Sequence, residues 1–437
     1  MFLTLEEFLY HFPEISMSRE EFARTLTVTY AKPQSLRDIF DLVPGHRGKP
    51  IIKKPETDKR YLRQEEIIDY FYEIVITNRH KYLACFFGAY FDFKDPRTLK
   101  WDKANILSTK KLDGHDIVSL QKNDPSKRLI RNLFYLELLD KTKVTNTVKS
   151  SVSFWQSLLN LYNELRLEDR FFAPSSIDQF LKPKGTQREA RSGVREINYN
   201  ALFYLFQAYQ PKASIFNPYS IKWLIDNVID KSLGYKGQTM FTPVLSWGSY
   251  LMAFMHSGYQ HYVGVDVMPS VCDKVEFLAD WYAQEMGIVK QTEIRCQPSE
   301  TLLTDRKFLT EYKDYFDTII VCPPYFDMEV YPEGPQSLEL YPNYKEWLDL
   351  YWRQTVDMCC HVTKPGGVFA LIANDYYTLE GDHYPLAQDL QDVTSRCYTL
   401  QDMIYLQNRT SPLRVNAKDR TERLYLYKKF DSFSVSR

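Results

Sequence analysis

One stretch constrains the fold more than any other: Phe316-Asp317-Thr318-Ile319-Ile320-Val321-Cys322-Pro323-Pro324-Tyr325. A run of β-branched residues packs well on both faces of a pleated strand, so Thr318 to Val321 reads as a strand buried in a parallel sheet. The run then meets two prolines. Proline lacks a backbone N–H and has a fixed φ, so the pair ends the hydrogen-bond ladder and stiffens the chain beyond it. The expected result is a rigid step at the carboxyl end of a central strand, with Tyr325 presented above it. In open α/β sheets that edge is where ligands bind.

The surrounding pattern agrees with such a sheet. From residue 196 onward, strands and helices alternate. Strands are expected from 240, over 261–266, 292–296, 316–322 and 367–372, then over 401–407 and 423–428. Helices are expected over 201–206, 219–230, 250–256, 272–286 and 347–361. Alternation at this spacing means a doubly wound α/β sheet covered on both faces. The chain has 437 residues, enough for two domains.

The first domain, 1–195, reads as mainly helical, and the second, 196–437, as the α/β sheet. In the first, Ser18-x-x-Glu21 has the form of a capping box, and 128–139 and 153–167 carry apolar residues at helical spacing. Two basic stretches interrupt it. Residues 46–63 hold Arg47, Lys49, Lys53, Lys54, Lys59, Arg60 and Arg63, and 182–195 hold Lys182, Lys184, Arg188, Arg191 and Arg195. Each is either a solvated surface loop or a track for phosphates. The formal net charge of −1 excludes a chain that is basic throughout, so any nucleic-acid contact must come from local patches of this kind.

The seven cysteines are scattered, without a C-x-x-C pair and without histidines at zinc-ligand spacing, so no metal site is expected. Their number and spread suit reduced thiols in a cytoplasmic setting. The first residues lack a basic-then-apolar leader, and no apolar run reaches the length of a bilayer span. A soluble chain without membrane contact is the expectation.

Three further motifs join the Pro-Pro step. Phe241-Thr242-Pro243-Val244-Leu245-Ser246-Trp247-Gly248-Ser249-Tyr250 follows the first strand of the sheet. Gly264-Val265-Asp266 ends the next, where a nucleotide-binding sheet places a carboxylate for a ribose, although a turn acid or helix cap would look the same. Phe216-Asn217-Pro218 lies upstream. Together with Cys322-Pro323-Pro324-Tyr325-Phe326-Asp327-Met328-Glu329, these motifs resemble the S-adenosylmethionine-dependent methyltransferases of exocyclic base amino groups, in particular phage and prokaryotic DNA methyltransferases. The resemblance covers residues 210–430. It implies a Rossmann-like methyltransferase sheet, S-adenosylmethionine as cofactor and DNA as partner, with RNA as a second option and a partner subunit or a second copy also open. It further implies contact with the cofactor from Phe216, Asn217, Thr242, Pro243, Trp247, Gly248 and Asp266.

In that family the residue before the two prolines supplies an acceptor oxygen, the Pro-Pro step a fixed carbonyl, and the aromatic a stacking platform for an extruded base. Carried over, these roles fall to Cys322, to Pro323 and Pro324, and to Tyr325. The chain departs from the family at several points. Cys322 replaces Asp, Asn or Ser, Thr242 replaces an acid, and Ser246, Ser249 and Tyr250 replace two glycines and an arginine. A thiol is a weak acceptor. Two functions therefore remain open: an active amino-methyltransferase, or a degenerate methyltransferase fold serving as a nucleic-acid-binding or partner subunit.

Overall fold

The computed structural model describes residues 18–21, 108–112, 114–119, 125–134, 137, 143–144, 215–331, 333–377, 383–407 and 422–430. The chain forms two compact units, Ala89–Phe134 with Ser214–Arg437 (and Met1), and Phe2–Gly88 with Tyr135–Ala213. In the second unit the capping box is made. Ser18 N–H donates to Glu21 Oε2 at 2.9 Å, and Glu21 N–H donates to Ser18 Oγ at 3.3 Å. The helices expected over 153–167 and 201–206, both basic stretches and the boundary at 195 lie outside the described residues.

The first unit is built on a nine-stranded sheet. Its strands in chain order are β1 (Ser108–Leu112), β2 (His115–Ser119), β3 (Thr239–Thr242), β4 (His261–Asp266), β5 (Gln291–Cys296), β6 (Phe316–Val321) and β7 (Thr363–Ala373). A hairpin of β8 (Tyr376–Tyr377) and β9 (His383–Tyr384) stands apart from the sheet, which β10 (Tyr398–Gln407) and β11 (Arg423–Lys429) complete. The order across the sheet is β1-β2-β10-β11-β7-β6-β3-β4-β5. β5, β4, β3, β6 and β7 are mutually parallel, and β11 runs antiparallel between β7 and β10. From β3 the chain steps outward through β4 to β5, then returns to β6 on the other side. That reversal makes the carboxyl ends of β3, β4 and β6 a topological switch point. The fold is the doubly wound, Rossmann-like α/β class expected from the sequence.

β6 is buried along its whole length, with β3 on one side and β7 on the other. At its amino end Asp317, 1% exposed, accepts from the N–H groups of Gln238 and Thr239 at 2.8 and 3.0 Å. It also accepts from Tyr235 Oη at 2.8 Å and from Lys364 Nζ at 2.6 Å. The central strand is thus fixed to both neighbours below, while the prolines stiffen it above.

Helices cover the sheet where the periodicity places them. α1 (Pro125–Leu133) is followed by α2 (Pro218–Leu224), which passes through a π-turn into Asp230–Leu233 and ends at Gly234 with φ 82°. α3 (Ser249–Met255) is buried throughout. α4 (Pro269–Met286) opens on a proline at its first turn and stops at Gly287 in the left-handed conformation. α5 (Arg306–Glu311) is capped by Asp305. Beyond β6 come the short α6 (Ser337–Leu340), then α7 (Arg353–Val362) after a π-turn at Trp347–Trp352, and α8 (Leu386–Thr394). One core gathers Phe241, Phe308, Phe316, Trp347, Trp352 and Phe369 between sheet and helices. Among the described residues no helix is long and apolar enough to cross a membrane.

β1 and β2 come from the region the sequence assigned to helices. They extend the sheet beyond β10, with β2 parallel to β10 and Leu112 facing His115 across the turn. The signal was present. Asp113-Gly114 between two strands is a strong two-residue hairpin signal, and Gly114 takes the required positive φ of 84°.

Candidate functional site

The site is assembled at the carboxyl ends of β3, β4, β6 and β7. After β3 the chain makes an uncommon turn: Ser246, Trp247 and Gly248 have φ of 47°, 56° and 73°, three left-handed residues in succession. Only glycine adopts this conformation without steric cost. Trp247 offsets its cost by burial, its ring 5.9 Å from those of Phe134 and Tyr331. The turn then delivers α3.

Asp266 closes β4. Its carboxylate accepts from Leu245 N–H at 3.3 Å and from Met268 N–H at 3.1 Å, joining the turn after β3 to the turn before α4. Burial pushes its carboxyl up to about 6, against the pull of the Met268, Leu245 and Val267 N–H groups. A carboxylate offers about four acceptor positions, so with these three N–H groups against it at least one remains for a ligand. Gly264, two residues earlier, is required by close packing. A Cβ there would lie 2.4 Å from Leu245 Cδ2 and 2.7 Å from Tyr262 Oη.

The remaining residues expected at the cofactor end have local partners. Thr242 is fully buried and its Oγ1 pairs with Tyr262 Oη at 2.6 Å, so the hydroxyl is engaged inside the sheet. Pro243 is buried beside it. Asn217 caps α2, its Oδ1 accepting from Tyr219 N–H at 2.9 Å, and the Phe216 carbonyl accepts from Ser249 Oγ at 2.9 Å. The Phe216 ring stacks on Tyr250 at 6.5 Å. Tyr250 is buried with its hydroxyl beside Ser246 and the Cys322 main chain, and no neighbour meets that hydroxyl with full hydrogen-bond geometry.

Beyond β6, Pro323 is buried, while Cys322, Pro324 and Tyr325 are half-buried. Burial, reinforced by Glu422 and Glu329, pushes the Cys322 thiol well above its usual range, so it stands as a neutral thiol. The next residue carries strain. Phe326 has φ 37° and is locked by the rings of Tyr344, Tyr384 and Trp347 at 5.2, 5.8 and 5.9 Å. This anchor fixes the direction in which Tyr325 leaves the Pro-Pro step.

The segment that follows crosses to the β4 side. Asp327 accepts from Tyr376 Oη at 2.6 Å, Glu329 accepts from Tyr331, and Tyr331 reaches the Trp247 ring. Gly334, φ 75°, lies against the Val267 carbonyl so tightly that a Cβ would fall 1.8 Å from that oxygen. Glu333 Oε2 accepts from Ser270 N–H at 3.3 Å. Residues 326–331 with 333–334 therefore bridge the Pro-Pro step and the turn after Asp266.

Two residues escaped the sequence reading. Tyr250 was read only as a replaced arginine. Asn374, immediately after β7, is 7% exposed with its Oδ1 unpartnered. The ligand-edge rule, applied to the 367–372 strand as it was to 316–322, would have marked it.

No family model matches the chain, and no curated protein sequence matches it. Among solved structures it is similar to N-methyltransferase NodS from Bradyrhizobium japonicum WM9 in complex with S-adenosyl-L-homocysteine, at 11% identity and TM-score 0.32 over 48% of this chain and 86% of that one. It is similar also to a SAM-dependent methyltransferase from Methanosarcina mazei, at 13% identity and TM-score 0.29 over 45% and 93% of the two chains. TrmN from Thermus thermophilus is similar at 12% identity and TM-score 0.31, over 49% of this chain and 48% of that one. Likenesses at these scores carry no functional weight.

Proposed function

We propose that the chain is an S-adenosylmethionine-dependent methyltransferase acting on an exocyclic amino group of a base in DNA. The observation that carries this reading is the placement of the Pro323-Pro324-Tyr325 step and Asp266 on strands flanking β3, at the point where the strand order reverses. Asp266 has acceptor capacity left for ribose hydroxyls, and Ser246–Gly248 form a left-handed turn next to Leu245, whose N–H donates to Asp266. Trp247 and Gly248 floor the pocket for the cofactor, which supplies the methyl group when bound. At its methionine end this chain offers the Tyr250 and Ser246 hydroxyls, since Thr242 is engaged with Tyr262.

On this reading Pro323 and Pro324 hold a backbone carbonyl in place to accept from the base amino group, and Tyr325 stacks on the extruded base. Acceptors at the amino hydrogens draw the nitrogen toward sp³ geometry. With the cofactor bound, the base nitrogen so held would take its methyl group, leaving the demethylated cofactor, and would release one proton to solvent. The test is transfer of labelled methyl groups to unmethylated DNA. Activity that disappears in Pro323→Ala supports the enzyme.

The engagement of Thr242 and the neutral thiol of Cys322 favour a second reading, a degenerate methyltransferase fold used for binding. It predicts no transfer by wild type or by Cys322→Ser, with DNA still bound. Charge reversal at Lys182, Lys184 and Arg188 tests the DNA contact itself, because each lost phosphate contact lowers the salt slope by about one unit.

A further inference from the structure

We infer that Asn374 supplies the acceptor oxygen that Cys322 lacks, gripping the amino-bearing edge of the base. This rests on the amino-methyltransferase reading above and names how that site recognises its substrate.

The position follows from register. β6 and β7 are parallel neighbours with Val321 opposite Leu371. Continuing both strands at that register brings Asn374 level with Pro324, at the same sheet edge. The Tyr325 phenol lies by the Asn374 main-chain N–H, which pulls down a phenol that burial pushes well up. The next aromatic, Tyr376, has its ring 6.2 Å from that of Tyr325. Asn374 thus belongs to the surroundings of the stacking platform.

The chemistry follows from what is left unpaired. Asn374 is more than nine-tenths buried, and its Oδ1 meets no donor. Tyr325 Oη and Tyr250 Oη are likewise buried and without a partner of normal geometry. Tyr250 Oη lies by the Cys322 main chain, so orphaned polar groups stand on both sides of the Pro-Pro step. Buried polar groups are satisfied in folded proteins with few exceptions, and a cluster of exceptions at a ligand edge points to a polar ligand. A carboxamide is suited to one kind. Its oxygen accepts from an amino N–H while its NH₂ donates to an adjacent ring nitrogen, the two-point contact asparagine makes with base edges. The ligand edge is therefore an amino group flanked by a ring-nitrogen acceptor, as on adenine and cytosine. A thiol cannot make that contact, and the neighbouring strand provides it.

The test uses the full chain, labelled S-adenosylmethionine and unmethylated DNA, with the methylated nucleoside identified after digestion. Asn374→Leu keeps the side-chain shape and removes both polar atoms. It is expected to lower methyl transfer by about a hundredfold or more, the effect of losing one aligned hydrogen-bonding group at a reacting centre. Calorimetric affinity for S-adenosylmethionine should stay within about twofold of wild type, and the melting temperature should hold or rise because a buried unpaired group is gone. Adding Cys322→Ser to Asn374→Leu restores an oxygen beside the step and is expected to recover at least about tenfold of the loss. Asn374→Asp, which keeps an acceptor, should retain more activity than Asn374→Leu and serves if the leucine variant does not fold. Unchanged transfer in Asn374→Leu overturns the inference and leaves the amino-methyltransferase reading standing. Loss of cofactor affinity or of melting temperature in step with transfer also overturns it, since Asn374 would then be a structural residue. A wild type that binds S-adenosylmethionine and DNA but transfers no label overturns both.

Discussion

Replacing Asp266 by asparagine separates the two roles its position allows, ligand acceptor and turn acid. Burial raises its carboxyl from 3.8 to about 6 despite the main-chain N–H groups that hold it. A shift of roughly two units is worth about 3 kcal/mol at ~1.36 kcal/mol per unit, and that energy opposes folding whenever the group is charged. Between pH 3.8 and about 6 the folded state binds the proton that the unfolded state has released. Stability therefore falls as pH rises through that window, and above it the penalty is present in full. Asparagine keeps the shape and one acceptor without the charge. Asp266→Asn should melt higher than wild type at neutral pH, by about 1–3 kcal/mol after loss of one N–H contact, and the difference should vanish toward pH 3.8.

Binding runs the other way. A charged acceptor on ribose hydroxyls contributes about 1.5–3 kcal/mol, so the variant should lose roughly ten- to a hundredfold in S-adenosylmethionine affinity at neutral pH. Wild-type affinity should itself decline as pH falls below about 6, where the carboxylate takes up its proton. Thermal melts and titration calorimetry over a pH series read both effects on the same samples. A variant that melts lower at neutral pH and binds the cofactor as tightly as wild type would refute the reasoning and leave Asp266 a turn acid.

Three further outcomes are expected. Ser246→Gly removes a side chain from a left-handed residue at φ 47°. Relief of about 1–2 kcal/mol, less about 0.4–1 kcal/mol for the freer unfolded chain, should leave a small net gain in denaturant midpoint, while loss of the hydroxyl offered to the cofactor should weaken its binding by about 0.5–1.5 kcal/mol. Asp317→Ala should cost about 3 kcal/mol or more, because it strands the Gln238 and Thr239 N–H groups and Lys364. Burial raises the Asp317 carboxyl, but Lys364 and the hydrogen bonds from Gln238, Tyr235 and Thr239 outweigh it, so its pKa lies below 3.8. Its stabilisation is therefore present above pH 3.8 and lost as acid protonates the folded carboxylate, which acid titration of wild type and Lys364→Met should show. Gly334→Ala drives a methyl into the Val267 carbonyl and should release the 326–334 bridge, seen as faster amide exchange there with β6 still protected.

The fold was legible because its signals are strong and local. Thr318 to Val321 could hardly be anything but a doubly buried strand, and the Pro-Pro pair fixed where it ends. Asp266 and Cys322 reach strands on either side of β3 because right-handed crossovers leave little topological choice. The hairpin of β1 and β2 was missed because Ser-Thr-Lys-Lys-Leu carries no apolar alternation, and its hairpin signal lies in two residues. Local side-chain partnership was legible in the Ser18–Glu21 capping box, but partnership between residues distant in the chain was not. Nothing in the local sequence says that Thr242 pairs with Tyr262, one strand away, or that Gly334 docks on Val267. Asn374 stood in plain view at a strand end, but its significance depends on a missing partner, which only three-dimensional packing reveals.

The distribution of backbone strain bears on which of the two functions the site serves. Among the described residues, non-glycine positive φ occurs at Ser246, Trp247, Asp314 and Phe326. All but Asp314 lie on the carboxyl edge of the sheet, two in the turn after β3 and one directly behind Tyr325. Each costs about 1–2 kcal/mol for an L-residue, and the cost is met locally, by the burial of Trp247 against Phe134 and Tyr331 and of Phe326 among Tyr344, Tyr384 and Trp347. The consequence of each strained residue is directional. The turn brings the Leu245 N–H onto Asp266, and Phe326 sets the exit of Tyr325 from the prolines. A surface used only to hold a phosphate backbone needs hydrogen-bond donors and cations, not an aromatic fixed behind a rigid step. Fixing a stacking platform relative to an acceptor carbonyl matters when a base must be held at reacting distance from a methyl donor. The strain therefore weighs toward catalysis, and on the inference drawn above the unpaired oxygen of Asn374 is the acceptor that such a site would otherwise lack.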